Sequence, residues 1–279
     1  MENLPNNMRA VVFGKANEPL TLTEKPLPVP ECGELLVKIK AVSICASDFV
    51  PWKGYLGPVD GLVPGHEGVG IVVGNELPLE KLAPLFCAGV TAFRAVKQVD
   101  APARGKIGVF GLGGVGLFAV RFAVAVGFDV VGFDVSPVAR QEAKKAGALD
   151  TFDSSELAKC TEAIQKLTGG RLLEGAIVAA GVPQAYDAAI KLTAVFKTVV
   201  AVGVPHDAIQ VDPLSLIRKG LNLKGSLTGA ASDLEEMMRL VQRHQIIPDV
   251  QLGGLEDIPE MFARCCAGTS VGKLGAVIS

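Results

Sequence analysis

Short apolar runs alternate with amphipathic stretches through the middle of this 279-residue chain. Such alternation is typical of strands that are joined by helices, which favours an α/β fold with a parallel sheet. We predict strands at 107–111, 129–134, 149–152, 175–180, 197–203 and 222–228. Six strands with intervening helices predict a doubly wound parallel sheet within residues 91–245.

The first 90 residues have a different pattern. Apolar runs at 9–13, 35–42 and 69–73 predict strands. The segment 21–30 carries three prolines at alternate positions, which cannot donate the hydrogen bonds of a central strand, so we predict an extended connector there. These features predict a small, mostly β domain over 1–90. The tail, 246–279, ends in a strand-like VGKLGAVIS, and we expect it to return to that domain.

Composition narrows the class of protein. Apolar residues make up 49% and aromatic residues 5% of the chain, as expected of a parallel sheet covered by helices. The net charge of −2, without a basic stripe, argues against nucleic acid or an anionic membrane as a partner. We find neither an apolar run of about 20 residues nor a secretory signal pattern, and six cysteines do not suggest a disulfide scaffold. We therefore expect a reduced, cytoplasmic protein.

A glycine-rich turn follows the strand at 107–111. The stretch 106–134 reads KIGVFGLGGVGLFAVRFAVAVGFDVVGFD, in the order strand, glycine turn, helix, strand and acid. This context is typical of dinucleotide binding. Gly111 would allow the tight turn, Gly113 would let the backbone approach a pyrophosphate, and Gly116 would let the helix pack close to the strand.

The remaining residues of this unit suit the pyrophosphate and the adenosine ribose of a dinucleotide. Gly114 and Val115 lie at the start of the predicted helix, where free N–H groups attract phosphates. Asp134 would accept hydrogen bonds from an adenosine ribose. A carboxylate there repels a 2′-phosphate, so the sequence favours NAD over NADP. The alternative is an ordinary βαβ unit with a glycine turn.

Three candidate metal ligands lie outside the nucleotide unit, namely Cys45, His66 and Cys87. Two thiolates and one imidazole bind zinc well, and three protein ligands leave a fourth position open for catalysis. Ser47 could then take the proton of a substrate hydroxyl while a nicotinamide accepts the hydride. Spacing alone leaves the alternative open, because buried free cysteines and structural histidines are common.

Motifs along most of the chain resemble those of the zinc-dependent alcohol dehydrogenases of the medium-chain dehydrogenase/reductase superfamily. They are MRAVVF, CASD, PGHEGVGIV, APLFCAGVTAF, GLGGVG, AVGV, GSLTG and VGKLGAVI. The resemblance implies a Rossmann sheet beside a GroES-like β domain. It also implies that Cys45, His66 and Cys87 bind a catalytic zinc, that Glu67 lies beside the metal, and that Ser47 matches the hydroxyl residue of the family.

The same resemblance implies further contacts with the cofactor and substrate. The family's nicotinamide-lining loop corresponds here to Val202, Gly203 and Val204, and Lys273 keeps one cation of the usual VGR pattern. Trp52 falls where an aromatic wall of the substrate pocket is common, although simple core packing is an equal alternative. Family members commonly pair through the edge strand, here 222–228, so we expect a homo-oligomer, either a dimer or a tetramer.

The chain departs from the family pattern in its length. His66 and Cys87 are 21 positions apart, far fewer than usual, and the missing segment normally completes the β domain and carries a structural zinc. No C-x-x-C occurs in the sequence, so we do not expect a second zinc. We expect a truncated GroES-like domain with a more open cleft. Ala46 and Ala231 replace residues that commonly contact the cofactor phosphates in the family, which predicts weaker cofactor binding. Val50 replaces a histidine that commonly passes the proton to solvent.

Three functions remain open. The leading hypothesis is an NAD-dependent oxidoreductase that interconverts a small-molecule alcohol and an aldehyde or ketone by zinc-assisted hydride transfer. The second is a metal-free or non-redox enzyme of the same superfamily that acts on a bulkier substrate. The third is a catalytically inactive nucleotide-binding protein. The ligand set favours the first hypothesis, whereas the shortened β domain favours the other two.

Overall fold

The computed structural model describes residues 5–28, 37–70, 79–267 and 272–278. Its strands in chain order are β1 (Asn7–Val12), β2 (Thr21–Pro26), β3 (Ile39–Ser43), β4 (Glu67–Gly70), β5 (Lys106–Phe110), β6 (Asp129–Phe133), β7 (Asp150–Phe152), β8 (Ala176–Val178), β9 (Thr198–Ala201), β10 (Asn222–Gly225), β11 (Val250–Gly253) and β12 (Lys273–Val277). Its α-helices are α1 (Phe49–Trp52), α2 (Leu79–Leu82), α3 (Ala88–Lys97), α4 (Gly114–Ala125), α5 (Pro137–Lys145), α6 (Leu157–Thr168), α7 (Pro183–Leu192), α8 (Pro213–Lys219), α9 (Ala231–His244) and α10 (Ile258–Cys266).

The chain divides into two compact units. One consists of Met1–Cys87 with Ile247–Ser279, and the other of Ala88–Ile246. Within the described ranges, every helix is too short or too polar to span a lipid bilayer.

The second unit contains a six-stranded sheet in the order β10-β9-β8-β5-β6-β7, and every neighbouring pair is parallel. All six predicted strands are confirmed, with ends that differ by a few residues. The strand order reverses between β5 and β8, and ligands of doubly wound sheets bind beyond the carboxyl ends of the strands at such a point. The glycine turn that follows β5 lies at this position.

Continuous apolar runs form the central strands because helices cover both faces of a parallel sheet. In β5, Ile107, Val109 and Phe110 are fully buried, and the rings of Phe110 and Phe133 stack with centroids 4.3 Å apart. This packing fixes the carboxyl ends of β5 and β6, from which the glycine turn and Asp134 follow.

The first unit contains a four-stranded sheet in the order β11-β12-β3-β4 and a separate two-stranded sheet of β1 and β2. β12 is parallel to β11 and antiparallel to β3, so the tail forms part of this unit. The predictions for 9–13, 35–42 and 69–73 correspond to β1, β3 and β4, although residues 35–36 and 71–73 lie outside the described residues.

The prediction of a connector over 21–30 was wrong for its first six residues. Residues 21–26 form β2, which pairs antiparallel with β1 over its whole length. Proline is compatible with this edge strand because Pro26 lies at its end. Pro30 lies outside the described residues.

Trp52 lies in the aromatic core of the first unit. Its ring contacts the Phe262 ring edge-on at a centroid distance of 5.5 Å. The rings of Phe13 and Phe49 also contact the Phe262 ring. The Trp52 Nε1–H group donates to the Glu18 carbonyl at 2.7 Å. These contacts agree with the core-packing interpretation of Trp52.

Candidate functional site

Cys45, His66 and Cys87 come together in the first unit. Cys45 precedes a 3-10 turn (Ala46–Asp48), His66 precedes β4, and Cys87 follows a second 3-10 turn (Ala83–Phe86). The two Sγ atoms are 3.9 Å apart, and His66 Nε2 lies 3.3 Å from Cys87 Sγ. With a carboxylate oxygen of Glu67, the candidate ligand atoms all lie within 4.8 Å of one another.

These separations fit a zinc ion. Tetrahedral zinc with Zn–S bonds of about 2.3 Å and Zn–N bonds of about 2.0–2.1 Å requires S–S and S–N separations of about 3.8 and 3.5 Å. The observed distances of 3.9 and 3.3 Å are close to both values. The donor atoms therefore have the chemistry and the spacing of a catalytic-type site.

Ser47 lies at the same cluster. Its Oγ donates to Cys45 Sγ at 3.2 Å and lies 3.1 Å from His66 Nε2. The hydroxyl is thus within hydrogen-bond distance of two ligand atoms, where it could also meet a substrate oxygen.

Asp48 contacts two residues of this cluster, and we did not predict it as a candidate site residue. Its side chain is 8% exposed, and Oδ1 lies 3.0 Å from His66 Nδ1. Oδ2 accepts the Cys45 backbone N–H at 3.0 Å. A carboxylate on Nδ1 fixes the ring so that Nε2 faces the thiols, as is usual for metal-ligating histidines. In the sequence, the only indication of this contact was an acidic residue three positions after Cys45.

Charges within the cluster change the pKa values of the ligands. The hydrogen bond from the Cys87 thiol, supported by His66, lowers the pKa of Cys45 strongly. The bond to Cys45, together with burial, raises the pKa of Cys87. The hydrogen bond to Asp48, followed by that to Cys45, raises the pKa of His66 to about 10. A metal ion must therefore displace the protons of His66 and Cys87 to bind here.

Glu67 is fully buried beside these ligands and is paired with Lys273. The Lys273 ammonium lies 3.0 Å from both carboxylate oxygens and 3.3 Å from the Ile44 carbonyl. Burial raises the pKa of Glu67, and the charge of Lys273 opposes that effect. Lys273 therefore contacts Glu67 in the first unit, and its predicted role toward the cofactor stays a prediction.

The glycine turn in the second unit has the backbone geometry that the sequence predicted. Gly111 has a φ of +90°, and a Cβ there would lie 2.5 Å from the Ala180 nitrogen. A Cβ on Gly116 would lie 1.9 Å from the Gly111 carbonyl oxygen, whereas one on Gly113 would meet nothing within 4 Å. Gly114 and Val115 begin α4, and Gly113 at its N-cap offers no side chain to cap their N–H groups. The turn thus leaves open backbone donors where a phosphate could bind.

Asp134 lies across from this turn at the end of β6. Its Oδ2 accepts the Leu112 N–H at 2.7 Å, and Oδ1 accepts the Ser136 N–H at 2.8 Å. On the other side of the reversal point, the Val202 and Gly203 N–H groups donate to the Val178 carbonyl at 3.0 and 2.9 Å, and the Val204 side chain is 85% exposed. The structure therefore places the predicted nucleotide-binding residues of this unit at the carboxyl ends of β5, β6 and β9.

Comparisons with known proteins find similar sequences for most of the chain. The family model described as "Alcohol dehydrogenase GroES-like domain" matches residues 31–125, and that described as "Zinc-binding dehydrogenase" matches 114–243. The chain belongs to the zinc-type medium-chain alcohol dehydrogenase family. Two relatives named "Alcohol dehydrogenase", from Geobacillus stearothermophilus and Moraxella sp., are 27% and 25% identical, each over 96% of this chain and 98% of the relative. The first alignment spans 336 positions, so that family member contains segments that this 279-residue chain lacks.

Solved structures of the family share the fold. An "Alcohol dehydrogenase zinc-binding domain protein" from Burkholderia ambifaria superposes with a TM-score of 0.88 at 20% identity, covering 98% of this chain and 99% of that one. An acetophenone reductase from Geotrichum candidum in complex with NAD has a TM-score of 0.82 at 21% identity, with coverage of 99% and 98%. A doubly wound Rossmann sheet with a smaller GroES-like β unit is thus confirmed.

Proposed function

We propose that the chain is an NAD-dependent oxidoreductase that interconverts an alcohol and an aldehyde or ketone. The observation that carries this proposal is the cluster of Cys45, His66 and Cys87, with Ser47 in contact with two of them, in a member of the alcohol dehydrogenase family. Curated relatives named "Alcohol dehydrogenase" and the acetophenone reductase structure with NAD support the same reaction class.

Cys45, His66 and Cys87 would hold one zinc ion. Bound there, zinc supplies a Lewis acid that lowers the pKa of an alcohol oxygen. Ser47 Oγ, which is within hydrogen-bond distance of two ligand atoms, would accept the proton of the substrate hydroxyl and release its own proton to the solvent to which the residue is exposed. Asp48 keeps the His66 ring oriented, and Lys273 holds the Glu67 carboxylate in place beside the ligands. Metal binding by Cys45 and Cys87 requires reduced thiols, and such thiols are maintained in the cytoplasmic location that we propose.

The second unit would bind NAD, which supplies the hydride acceptor. Open N–H groups at the start of α4 receive the pyrophosphate, since Gly113 leaves space for it. Asp134 receives the adenosine ribose and disfavours a 2′-phosphate. We propose residues 91–245 as the dinucleotide-binding domain, and 1–90 with 246–279 as the catalytic domain.

We further propose that two copies of the chain pair through β10. This strand is at the edge of the six-stranded sheet, and three of its four residues are exposed. Beside it, Phe196 is 78% and Ile217 is 75% exposed. Phe196 also has a φ of +59°, which is uncommon for a bulky residue. An unpaired edge next to exposed apolar side chains is a surface that a second copy could cover.

Metal analysis and turnover of the purified protein test the proposal together. We expect about one zinc per chain and NADH formation from simple alcohols with NAD+. His66→Ala should lose both, whereas the matched control His244→Ala, which changes a histidine on α9 in the other unit, should keep both.

The other outcomes separate the alternatives. Turnover by a wild-type protein that contains no zinc would favour the metal-free enzyme, for which the 21-residue spacing from His66 to Cys87 is the supporting observation. NAD+ binding without turnover on a broad panel of alcohols and carbonyls would favour the inactive nucleotide-binding protein.

A further inference from the structure

The loop of residues 202–204 is held by the backbone of a neighbouring loop. A Cβ on Gly203 would lie 2.2 Å from the Ala180 carbonyl oxygen, and one on Gly181 would lie 3.0 Å from the Val204 carbonyl oxygen. The two loops therefore approach each other backbone to backbone. The 202–204 loop is also held through its N–H groups, because those of Val202 and Gly203 both donate to the Val178 carbonyl.

A buried phenol contacts a carbonyl group of the same loop. The Tyr186 hydroxyl donates a short hydrogen bond to the Gly203 carbonyl. Tyr186 lies on α7, is 3% exposed, and packs in the apolar core of the second unit. Burial also raises its pKa, so the phenol stays protonated and keeps its donor.

This contact links a core side chain to the predicted nicotinamide loop. A buried hydroxyl needs a hydrogen-bond partner, and Gly203 provides it. If the loop moved away, the phenol would lose its partner inside the core, so the contact favours one position of the loop. Fixing a cofactor-binding loop before the cofactor arrives reduces the cost of ordering it on binding.

We propose that Tyr186 is a positioning residue that holds the 202–204 loop in the conformation that receives the nicotinamide ring. The inference rests on the proposed function, since it requires that this loop contact the nicotinamide end of NAD. It assigns Tyr186 no role at the adenosine end, where the glycine turn and Asp134 lie. Loss of the hydroxyl should therefore weaken the interaction with nicotinamide selectively.

Calorimetric titration with NAD+ and with ADP-ribose, which lacks nicotinamide, tests this selectivity. In Tyr186→Phe we expect the affinity for NAD+ to fall about fivefold, as for loss of one neutral hydrogen bond, while the affinity for ADP-ribose stays within about twofold. The KM for NAD+ should rise in parallel. The chain has two tyrosines, so Tyr55→Phe, at a residue that is 73% exposed in the first unit, is the matched control and should change neither affinity.

The outcomes distinguish this inference from the proposed function. Equal weakening of both ligands, or no weakening of either, would overturn the role of Tyr186 while leaving the proposed function intact. A wild-type protein that binds neither ligand would overturn both. Should Tyr186→Phe fail to fold, 13C NMR of labelled tyrosine in Tyr55→Phe reports on Tyr186 alone. NAD+ should then shift its Cζ resonance and ADP-ribose should not, and a resonance that responds identically to the two ligands would contradict the proposal.

Discussion

At the scale of single residues, the Asp134 carboxylate has two tasks. It accepts the backbone N–H groups of Leu112 and Ser136, and it is proposed to bind the adenosine ribose. In Asp134→Asn one of these N–H groups faces an amide NH2 group, and the negative charge is lost. We expect the affinity for NAD+ to fall about tenfold and the preference for NAD+ over NADP+ to shrink.

Titration with both dinucleotides checks this prediction. Asp187→Asn is the matched control, because its carboxylate is 54% exposed on α7 and pairs with Lys191 one helical turn away. The control should bind NAD+ as the wild type does. An unchanged ratio of the two affinities in Asp134→Asn would argue against the assigned role of this residue.

Residue types together with the family motifs predicted the ligand cluster but not the contacts that support it. Cys45, His66 and Cys87 were predicted from residue types and motifs, because few side chains bind zinc well. The contact of Asp48 with His66 joins residues 18 positions apart, and that of Lys273 with Glu67 joins residues 206 positions apart. Both contacts arise from the way in which β3, β4 and β12 pair, and side-chain chemistry alone does not determine that pairing.

At the scale of elements, two glycines of the turn between β5 and α4 should respond differently to alanine. A Cβ on Gly116 has no room, since it would lie 1.9 Å from the Gly111 carbonyl oxygen. Overpacking of this kind costs about 2 kcal/mol, so Gly116→Ala should lower the Tm by about 5 °C. Gly113 has open space around it and a φ of −74°, which alanine tolerates.

Gly113→Ala should therefore keep the wild-type Tm within about 1 °C, while its methyl group meets the pyrophosphate and lowers NAD+ affinity about tenfold. Thermal unfolding with and without NAD+ measures both quantities. If Gly113→Ala bound NAD+ with wild-type affinity, the pyrophosphate would not approach the backbone at this point.

The hydropathy pattern of the sequence predicted some strands better than others. The buried strands β5, β6 and β8 were clear, because burial on both faces requires continuous apolar runs. β2 was missed, since five of its six residues are exposed and its sequence ends at the start of a proline series. An exposed edge strand is stabilised by its backbone ladder to β1 more than by apolar side chains, and a hydropathy pattern does not detect that ladder.

The packing of α3 against α9 depends on a buried carboxylate whose effect varies with pH. Asp233 accepts the Ala230 N–H and ion pairs with Arg94 at 2.7 Å and Lys97 at 3.1 Å, and these contacts, with the Ala230 bond as the largest cause, lower its pKa to about 2. Because the pKa is lower in the folded than in the unfolded state, the stabilisation is present above about pH 4 and is lost as the pH falls toward 2.

We expect Asp233→Asn to reduce the free energy of unfolding by about 2 kcal/mol at pH 7, and the difference from wild type to shrink as the pH falls to about 2.5. Urea unfolding at several pH values measures it. Glu236→Gln removes a carboxylate that is 54% exposed from the same network, and should cost less than about 0.5 kcal/mol. A penalty for Asp233→Asn that does not vary with pH would contradict this assignment.

At the scale of the whole molecule, each compact unit contains one of the two candidate binding sites. The candidate zinc ligands lie in the unit of Met1–Cys87 with Ile247–Ser279, whereas the glycine turn and Asp134 lie in that of Ala88–Ile246. The shortening that we predict between His66 and Cys87 would affect the first unit, whereas the second contains a sheet of six parallel strands. Removal of zinc by a chelator should therefore abolish turnover and leave NAD+ binding in place.

We propose that two copies of the chain pair through β10, which belongs to the second unit. We expect light scattering to give a mass of at least twice the 29.0 kDa of the chain. The double substitution Phe196→Asn with Ile217→Gln should yield a monomer, because it removes apolar surface beside β10, and asparagine tolerates the positive φ of residue 196.

Leu149→Gln provides the control at the opposite edge of the same sheet. Leu149 directly precedes β7 and is 50% exposed, so its substitution removes a comparable apolar side chain away from β10. This variant should keep the mass of the wild-type assembly. A monomeric wild type, or a variant of Phe196 and Ile217 that assembles as the wild type does, would show that β10 and its flanking side chains are not where two copies meet.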